Sequence, residues 1–279
     1  MTIIGLGLMG GSLAGALHGK CRGVVGVARR EETVNQAVSH GLIDAGTTDL
    51  AAGVRTADIV VLATPVRTIV KLVRAVGPML PDGAILIELG STKAEVMEAM
   101  SDLPVHVQPL GGHPMCGKEL SGIAAADPTL YRGKTFILVP LPRTAPEALD
   151  VGRELARTIG AVPLVLDDAR RHDFLVATLS HLPYLLACAL VRTADATTSE
   201  DPVAWEIVAS GFRDTSRVAA SDIDMMTDIL LTNREEILNA LREYGSHLHD
   251  LERLVKEQDE KELKQALSYV CEKRKEMFA

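Results

Sequence analysis

Four short segments hold the side chains best suited to chemistry. Gly90-Ser91-Thr92-Lys93 follows the apolar run AILIE. A hydroxyl at a strand end beside a helix start is placed to touch a ligand. The plain alternative is an N-cap by Ser91. Gly111-Gly112-His113-Pro114-Met115-Cys116-Gly117 follows Val105–Gln108. Its glycines and proline predict a constrained loop holding the His113 imidazole at the ligand edge of a sheet. The last two segments are Ser180-His181-Leu182-Pro183 and Gly211-Phe212-Arg213-Asp214-Thr215-Ser216-Arg217. His181 at a proline kink and Arg213 after a glycine either face a cleft or belong to a polar network buried between helices.

A fifth segment binds rather than reacts. Ile3-Ile4-Gly5-Leu6-Gly7-Leu8-Met9-Gly10 reads as strand, turn and helix start. The first glycine permits the tight turn, the second lets a pyrophosphate approach the backbone, and the third lets helix and strand pack closely. Free N–H groups at the helix start, around Leu8 and Met9, favour the phosphates. A nicotinamide dinucleotide is the expected ligand. The second strand ends at Ala28-Arg29-Arg30. Ala28 stands where an NAD site usually carries an Asp or Glu for the ribose 2′-hydroxyl. Arg29 and Arg30 can pair with a 2′-phosphate, which favours NADP. Glu31 keeps NAD open if the register shifts, and the arginines can also simply decorate a helix start. Thr64-Pro65 ends a further strand and is a candidate wall for the nicotinamide.

The elements that must position these residues come in two kinds. Up to about residue 166, short apolar runs alternate with helical patterns: Val24–Val27, Asp58–Ala63, Ala84–Ile87, Val105–Gln108, Thr135–Val139 and Val162–Leu166. That alternation predicts βαβ units and a parallel sheet covered on both faces. From Asp168 onward only helices are expected: an apolar one over Ala169–Thr193 interrupted by Pro183, then 203–210, 222–243, 246–257 and 259–277. The expected architecture is an α/β Rossmann-type dinucleotide-binding domain over residues 1–167, followed by an all-α substrate and dimerisation domain over 168–279. A helix as apolar on several faces as 169–193 needs a large partner surface, so a homodimer is expected. The charged 259–277 segment reads as a solvated helix face.

Composition narrows the partners. The 279-residue chain is 47% hydrophobic and 24% charged, an ordinary globular make-up. A net charge of −8 argues against nucleic acid. Cys21, Cys116, Cys188 and Cys271 are scattered without ligand spacing, so no metal is expected and the thiols fit a reducing cytoplasm. No run is read as reaching the roughly 18–20 apolar residues of a membrane span, and no signal peptide is read. Thr2-Ile3-Ile4 comes directly after Met1, so the first strand is expected to be very short, as in a chain with a trimmed start.

GLGLMGGSLA, GSTK, GGHPMCG, SHLP and GFRDTSR, in this order and spacing, resemble the prephenate/arogenate dehydrogenase family of tyrosine biosynthesis over nearly the whole chain. The resemblance implies an oxidative decarboxylation. Hydride leaves the ring carbon bearing the 4-hydroxyl, the ring carboxylate leaves as CO2, and the ring becomes aromatic. It implies that His113 accepts the hydroxyl proton and that Ser91 assists. Arg213 would grip a carboxylate of the dianionic cyclohexadienyl substrate, while His181 and Gly112 line the same pocket. Arg217, His172 and Lys93 are expected to orient the loops. The chain ends after the helical segment, so any tyrosine feedback is expected at the active site. Two-domain dehydrogenases of the 3-hydroxyacid type rely on a helical-domain Lys, and none lies between Lys134 and Lys256. A non-catalytic dinucleotide sensor is the remaining alternative.

Overall fold

The computed structural model describes residues 1–278. Eight strands form one sheet: β1 Thr2–Ile4, β2 Val25–Val27, β3 Ala45–Thr47, β4 Ile59–Leu62, β5 Ile85–Glu88, β6 Gln108–Pro114, β7 Thr135–Pro140 and β8 Val162–Val165. Their order is β3-β2-β1-β4-β5-β6-β7-β8. Every neighbouring pair is parallel except β6 and β7, so the sheet is mixed rather than wholly parallel as expected. The sequence pattern also missed β3, whose Ala-Gly-Thr carries no apolar signal.

Side chains alternate across this sheet as the strand period of two requires. Ile3, Val61, Ile87, Leu110 and Leu138 join one buried cluster, while Ile4, Val60, Leu62, Leu86 and Val139 join the other. Helices cover both. α1 (Leu8–Leu17) contributes to the first cluster. Two short helices, α2 (Glu31–Ser39) and α3 (Leu50–Val54), complete the first three crossovers. α4 (Val66–Val76) and α5 (Ala94–Ser101) feed the second cluster, and α6 (Pro146–Thr158) the first.

Strand β6 corrects an expectation that matters for the site. Val105–Gln108 was expected as the strand and the glycine–histidine motif as a loop after it. Instead Val105 is exposed, a turn closes from Val107 N–H to Pro104 C=O, and the motif itself is the strand. Its glycines serve close packing. A Cβ on Gly111 would meet Met97 Sδ at 2.6 Å, and one on Gly112 the Glu88 carbonyl at 2.7 Å. Arg143 holds the turn: its guanidinium donates to the carbonyls of Val107, Met100 and Leu103 at 2.9, 3.2 and 3.1 Å.

Helices α7 (Ala169–Val176) and α8 (Leu182–Thr198) are joined by a π-helical turn, Ala177–His181. Pro183 sits in the first turn of α8, where its missing N–H is accommodated by the wider turn before it. The continuous Ala169–Thr198 helix is long and apolar enough to cross a membrane by length and composition, which corrects the reading that no segment is. Yet His172, Asp173 and His181 in it are buried and polar. Asp173 accepts hydrogen bonds from the backbone of α5, so one face of this helix packs on the nucleotide-binding sheet layer rather than on lipid.

The rest is helical with shifted bounds. α9 is Ser210–Ser216, whereas 203–210, expected as helix, is mainly turn. α10 (Ile223–Thr232) ends at Asn233, which breaks the expected 222–243 helix, and α11 (Arg234–Glu257) runs without a break through 246–257. α12 is Glu260–Met277, N-capped by Asp259. The chain forms two compact units, Met1–Arg234 and the segment from Glu235 onward. Arg143→Met should lower Tm by several degrees, since losing hydrogen bonds from a charged donor costs about 2–4 kcal/mol in total. An unchanged melting curve would show that the turn does not depend on this clamp.

Candidate active site

β1 and β4 are neighbours from which the chain departs in opposite directions, so the crevice beyond their carboxyl ends is the ligand site of this topology. The glycine turn fills it as the spacing predicts. Gly5 has φ +98°, and a Cβ there would meet the Ala63 carbonyl at 2.6 Å. A Cβ on Gly10 would lie 1.8 Å from the Gly5 carbonyl, whereas one on Gly7 would meet nothing within 4 Å. Gly7 is the N-cap of α1 and offers no side chain, which leaves the N–H groups around Leu8 and Met9 to a ligand. Thr64 Oγ1, beside Gly5, is buried without a hydrogen-bond partner among the described residues. Pro65 N-caps α4. At the end of β2, Ala28 is half-buried and Arg29 and Arg30 are exposed. An open cradle, an uncapped helix start and an orphaned hydroxyl together fit a dinucleotide pyrophosphate.

The reactive groups stand further along the same sheet edge. Glu88 ends β5, with no exposed side chain, and Lys93 five residues on is equally buried; Nζ and Oε1 are 2.6 Å apart. Glu88 also accepts from Gly90 N–H at 2.7 Å and Gly112 N–H at 3.2 Å. Burial pushes its carboxyl above the ordinary value, against the pull of Lys93 and those two donors. This pair pins the Gly90–Lys93 turn to β6. Ser91 is half-buried on it and forms no hydrogen bond among the described residues. It does not cap α5, which begins three residues later; the helix's first free N–H groups, those of Lys93 and Ala94, donate to Asp173 at 2.7 and 2.8 Å.

His113 lies near the end of β6, buried to 8% exposure. Its Nδ1 is 2.8 Å from His172 Nε2, and His172 Nδ1 is 2.8 Å from Asp173 Oδ1. Burial first, then His172, Lys93 and His181, hold the His113 imidazole well below its ordinary value. His181 Nδ1 faces Asn233 Nδ2 at 3.2 Å, and that amide also donates to the Asp173 carbonyl at 2.8 Å. Thus His113, His172, Lys93 and His181 converge through Asp173, and Asn233 ties them to the end of α10. Gly112 lies inside the sheet beneath them. Arg213 is different: it is exposed on α9 and makes no hydrogen bond or ion pair among the described residues. Arg217, nearby, pairs with Glu119.

The sequence models of two domains match this chain: the prephenate dehydrogenase nucleotide-binding domain over residues 13–165 and the prephenate dehydrogenase dimerization domain over 168–269. The chain belongs to the prephenate dehydrogenase family. The prephenate dehydrogenase of Lactococcus lactis subsp. cremoris is 34% identical over 90% of this chain and 70% of its own length. The Aquifex aeolicus prephenate dehydrogenase, solved with hydroxyphenyl propionate and NAD+, superposes with a TM-score of 0.91 at 31% identity, covering 99% of this chain and 97% of that one. Synechocystis arogenate dehydrogenase superposes at 0.85 with 31% identity, covering 99% of each.

In this family member the residues that sequence reasoning missed are Glu88, Asp173 and Asn233. Glu88 had a signal, a charge closing an apolar strand five residues before a lysine. Asn233 had none. Burial holds His181 down at about 4, so it is neutral at neutral pH. Its folded value lies below its ordinary one near 6.5, so the unfolded chain binds the extra proton first. The stability His181 contributes is therefore full above that ordinary value and is lost as pH falls toward about 4. Between about pH 7 and about pH 5, wild-type Tm should fall relative to that of His181→Asn. A pH-independent difference would mean that the imidazole is not held neutral.

Proposed function

We infer that the glycine cradle and the His113 cluster are two halves of one oxidoreductase site. The reaction is the NAD(P)-dependent oxidative decarboxylation of prephenate or arogenate in tyrosine biosynthesis. The observation that carries the residue assignment is the buried His113 imidazole, held 2.8 Å from His172 at the sheet edge that also bears the cradle.

A bound nicotinamide would supply the acceptor for the hydride that leaves ring C4 of the substrate. His113 accepts the 4-hydroxyl proton as that carbon becomes carbonyl-like, which requires the neutral imidazole that burial provides. Ser91, on the rigid turn braced by Glu88 and Lys93, hydrogen-bonds the same hydroxyl. Arg213 closes on a substrate carboxylate with its forked donors. His181 lines the pocket, and Gly112 keeps the strand beneath it close to Glu88. Prephenate is preferred over arogenate, since no carboxylate is assigned to a substrate amine.

Cradle residues Gly5, Gly7, Leu8, Met9 and Gly10 hold the pyrophosphate, with Thr64 and Pro65 beside the nicotinamide. Arg29 and Arg30 select NADP over NAD, because Ala28 supplies no carboxylate for a ribose hydroxyl. Residues 1–167 form the nucleotide-binding domain and 168–279 the substrate and dimerisation domain. Phe174 and Leu179, 57% and 73% exposed on the long helix, support a homodimer that covers them. A reducing cytoplasm suits the four free thiols.

Turnover should be assayed with prephenate and arogenate, each with NAD and NADP; no reduced cofactor in any of the four would overturn the reading. His113→Asn should lower kcat by about 10²-fold or more, and near-normal turnover would remove it from the chemistry. Arg29→Ala should raise KM for NADP more than for NAD; equal effects would contradict the 2′-phosphate role.

A further inference from the structure

The reaction leaves an unusual proton balance. One hydride and one CO2 depart from the ring. The C1–carboxylate bond electrons complete the aromatic ring, and the product is a phenol. The hydroxyl proton taken at the start is therefore needed again at the end, on the same oxygen. A site that keeps this proton close can return it without exchange with solvent.

The imidazoles next to His113 are arranged to do that. Asp173 Oδ1 accepts from Lys93 N–H and Oδ2 from Ala94 N–H, so both oxygens already face donors and a carboxyl proton has no acceptor. The 2.8 Å contact between Asp173 Oδ1 and His172 Nδ1 therefore puts the His172 proton on Nδ1. His172 Nε2 is then an acceptor, and its 2.8 Å contact with His113 Nδ1 puts the His113 proton on Nδ1. His113 Nε2 is left with its lone pair free. The rings are tilted by 58° with centroids 5.0 Å apart, so the contact is an in-line hydrogen bond rather than a stack.

His181 is set the other way. The Asp173 backbone carbonyl only accepts, so the Asn233 atom 2.8 Å from it is the amide nitrogen. That nitrogen also donates to His181 Nδ1, which places the His181 proton on Nε2. One aspartate thus makes His113 an acceptor at Nε2 through its carboxylate and, through its carbonyl, helps make His181 a donor there.

We propose that His172 and Asp173 are positioning residues that hold His113 as the Nδ1–H tautomer, and that His172 shares the substrate's hydroxyl proton with His113 until the phenolate oxygen takes it back. The proton moves from the hydroxyl to His113 Nε2 while the His113 Nδ1 proton shifts to His172 Nε2, against Asp173; both steps reverse when the ring is aromatic. His172 and His113 are buried among Lys93, His181 and Asp173, and His172 stands beside the Asp173 carboxylate, which raises its proton affinity. The proposal rests on His113 being the base, and its first test does not depend on activity.

Nitrogen-15 NMR of the imidazoles in the full-length wild-type protein should show His113 protonated at Nδ1 and bare at Nε2, and His181 the reverse. A His113 protonated at Nε2 would overturn the proposal even in an active enzyme. The second test is His172→Gln, whose side-chain oxygen can still accept from His113 but cannot take a proton. It should keep KM for substrate and cofactor within about twofold while kcat falls about 10- to 100-fold, at or below the lower end of direct proton-transfer effects, since His172 acts through His113. His172→Leu should further shift the His113 tautomer. Wild-type kcat in His172→Gln would sink the sharing step. An active His113→Asn would sink the underlying reading instead.

Discussion

Asp173 belongs to α7, yet both of its carboxylate oxygens are engaged by the first turn of α5, and one of them also meets His172. A helix start offers unpaired N–H groups and a positive dipole end, so a buried carboxylate is stable there and has little freedom to turn away. That single constraint locks the long helix onto the sheet edge, sets which His172 nitrogen carries a proton, and through it sets His113. Removing the carboxylate would leave two N–H groups, one buried and one partly buried, and an imidazole unpaired at once. The Glu88–Lys93 pair does the complementary task from below, joining the Ser91 turn to the strand that carries His113.

The glycine turn was legible because its constraints are local. Gly5 and Gly10 are required by backbone clashes within the turn and its neighbouring strand end, and such clashes show in spacing. The rest of the site depends on pairs far apart in sequence. Lys93 meets Asp173 across 80 residues, His113 meets His172 across 59, and Asp173 meets Asn233 across 60. No periodicity records such pairings. His113 and His181 stand out by residue type and family motif, while Asp173 belongs to no such motif and lies in a segment notable for its apolarity.

The fold shows the same division. Strands rich in β-branched residues were read correctly, whereas β3 and β6, built with glycine, were missed or displaced by several residues. In β6 the glycines are there because Met97, Val139 and Glu88 crowd the backbone, a tertiary demand that resembles a turn when seen in sequence. The long helix was expected for its apolarity, but its buried polar residues determine where it packs, and its exposed apolar face remains for a partner.

The proposed chemistry requires a His113 that is neutral and able to accept a proton at Nε2. The pH dependence of kcat/KM reads the protonation of the free enzyme directly. Because burial and its neighbours His172, Lys93 and His181 hold His113 well below its ordinary value, the acid limb should lie well below pH 6.5. Activity lost already at or above pH 6.5 would contradict a buried neutral base.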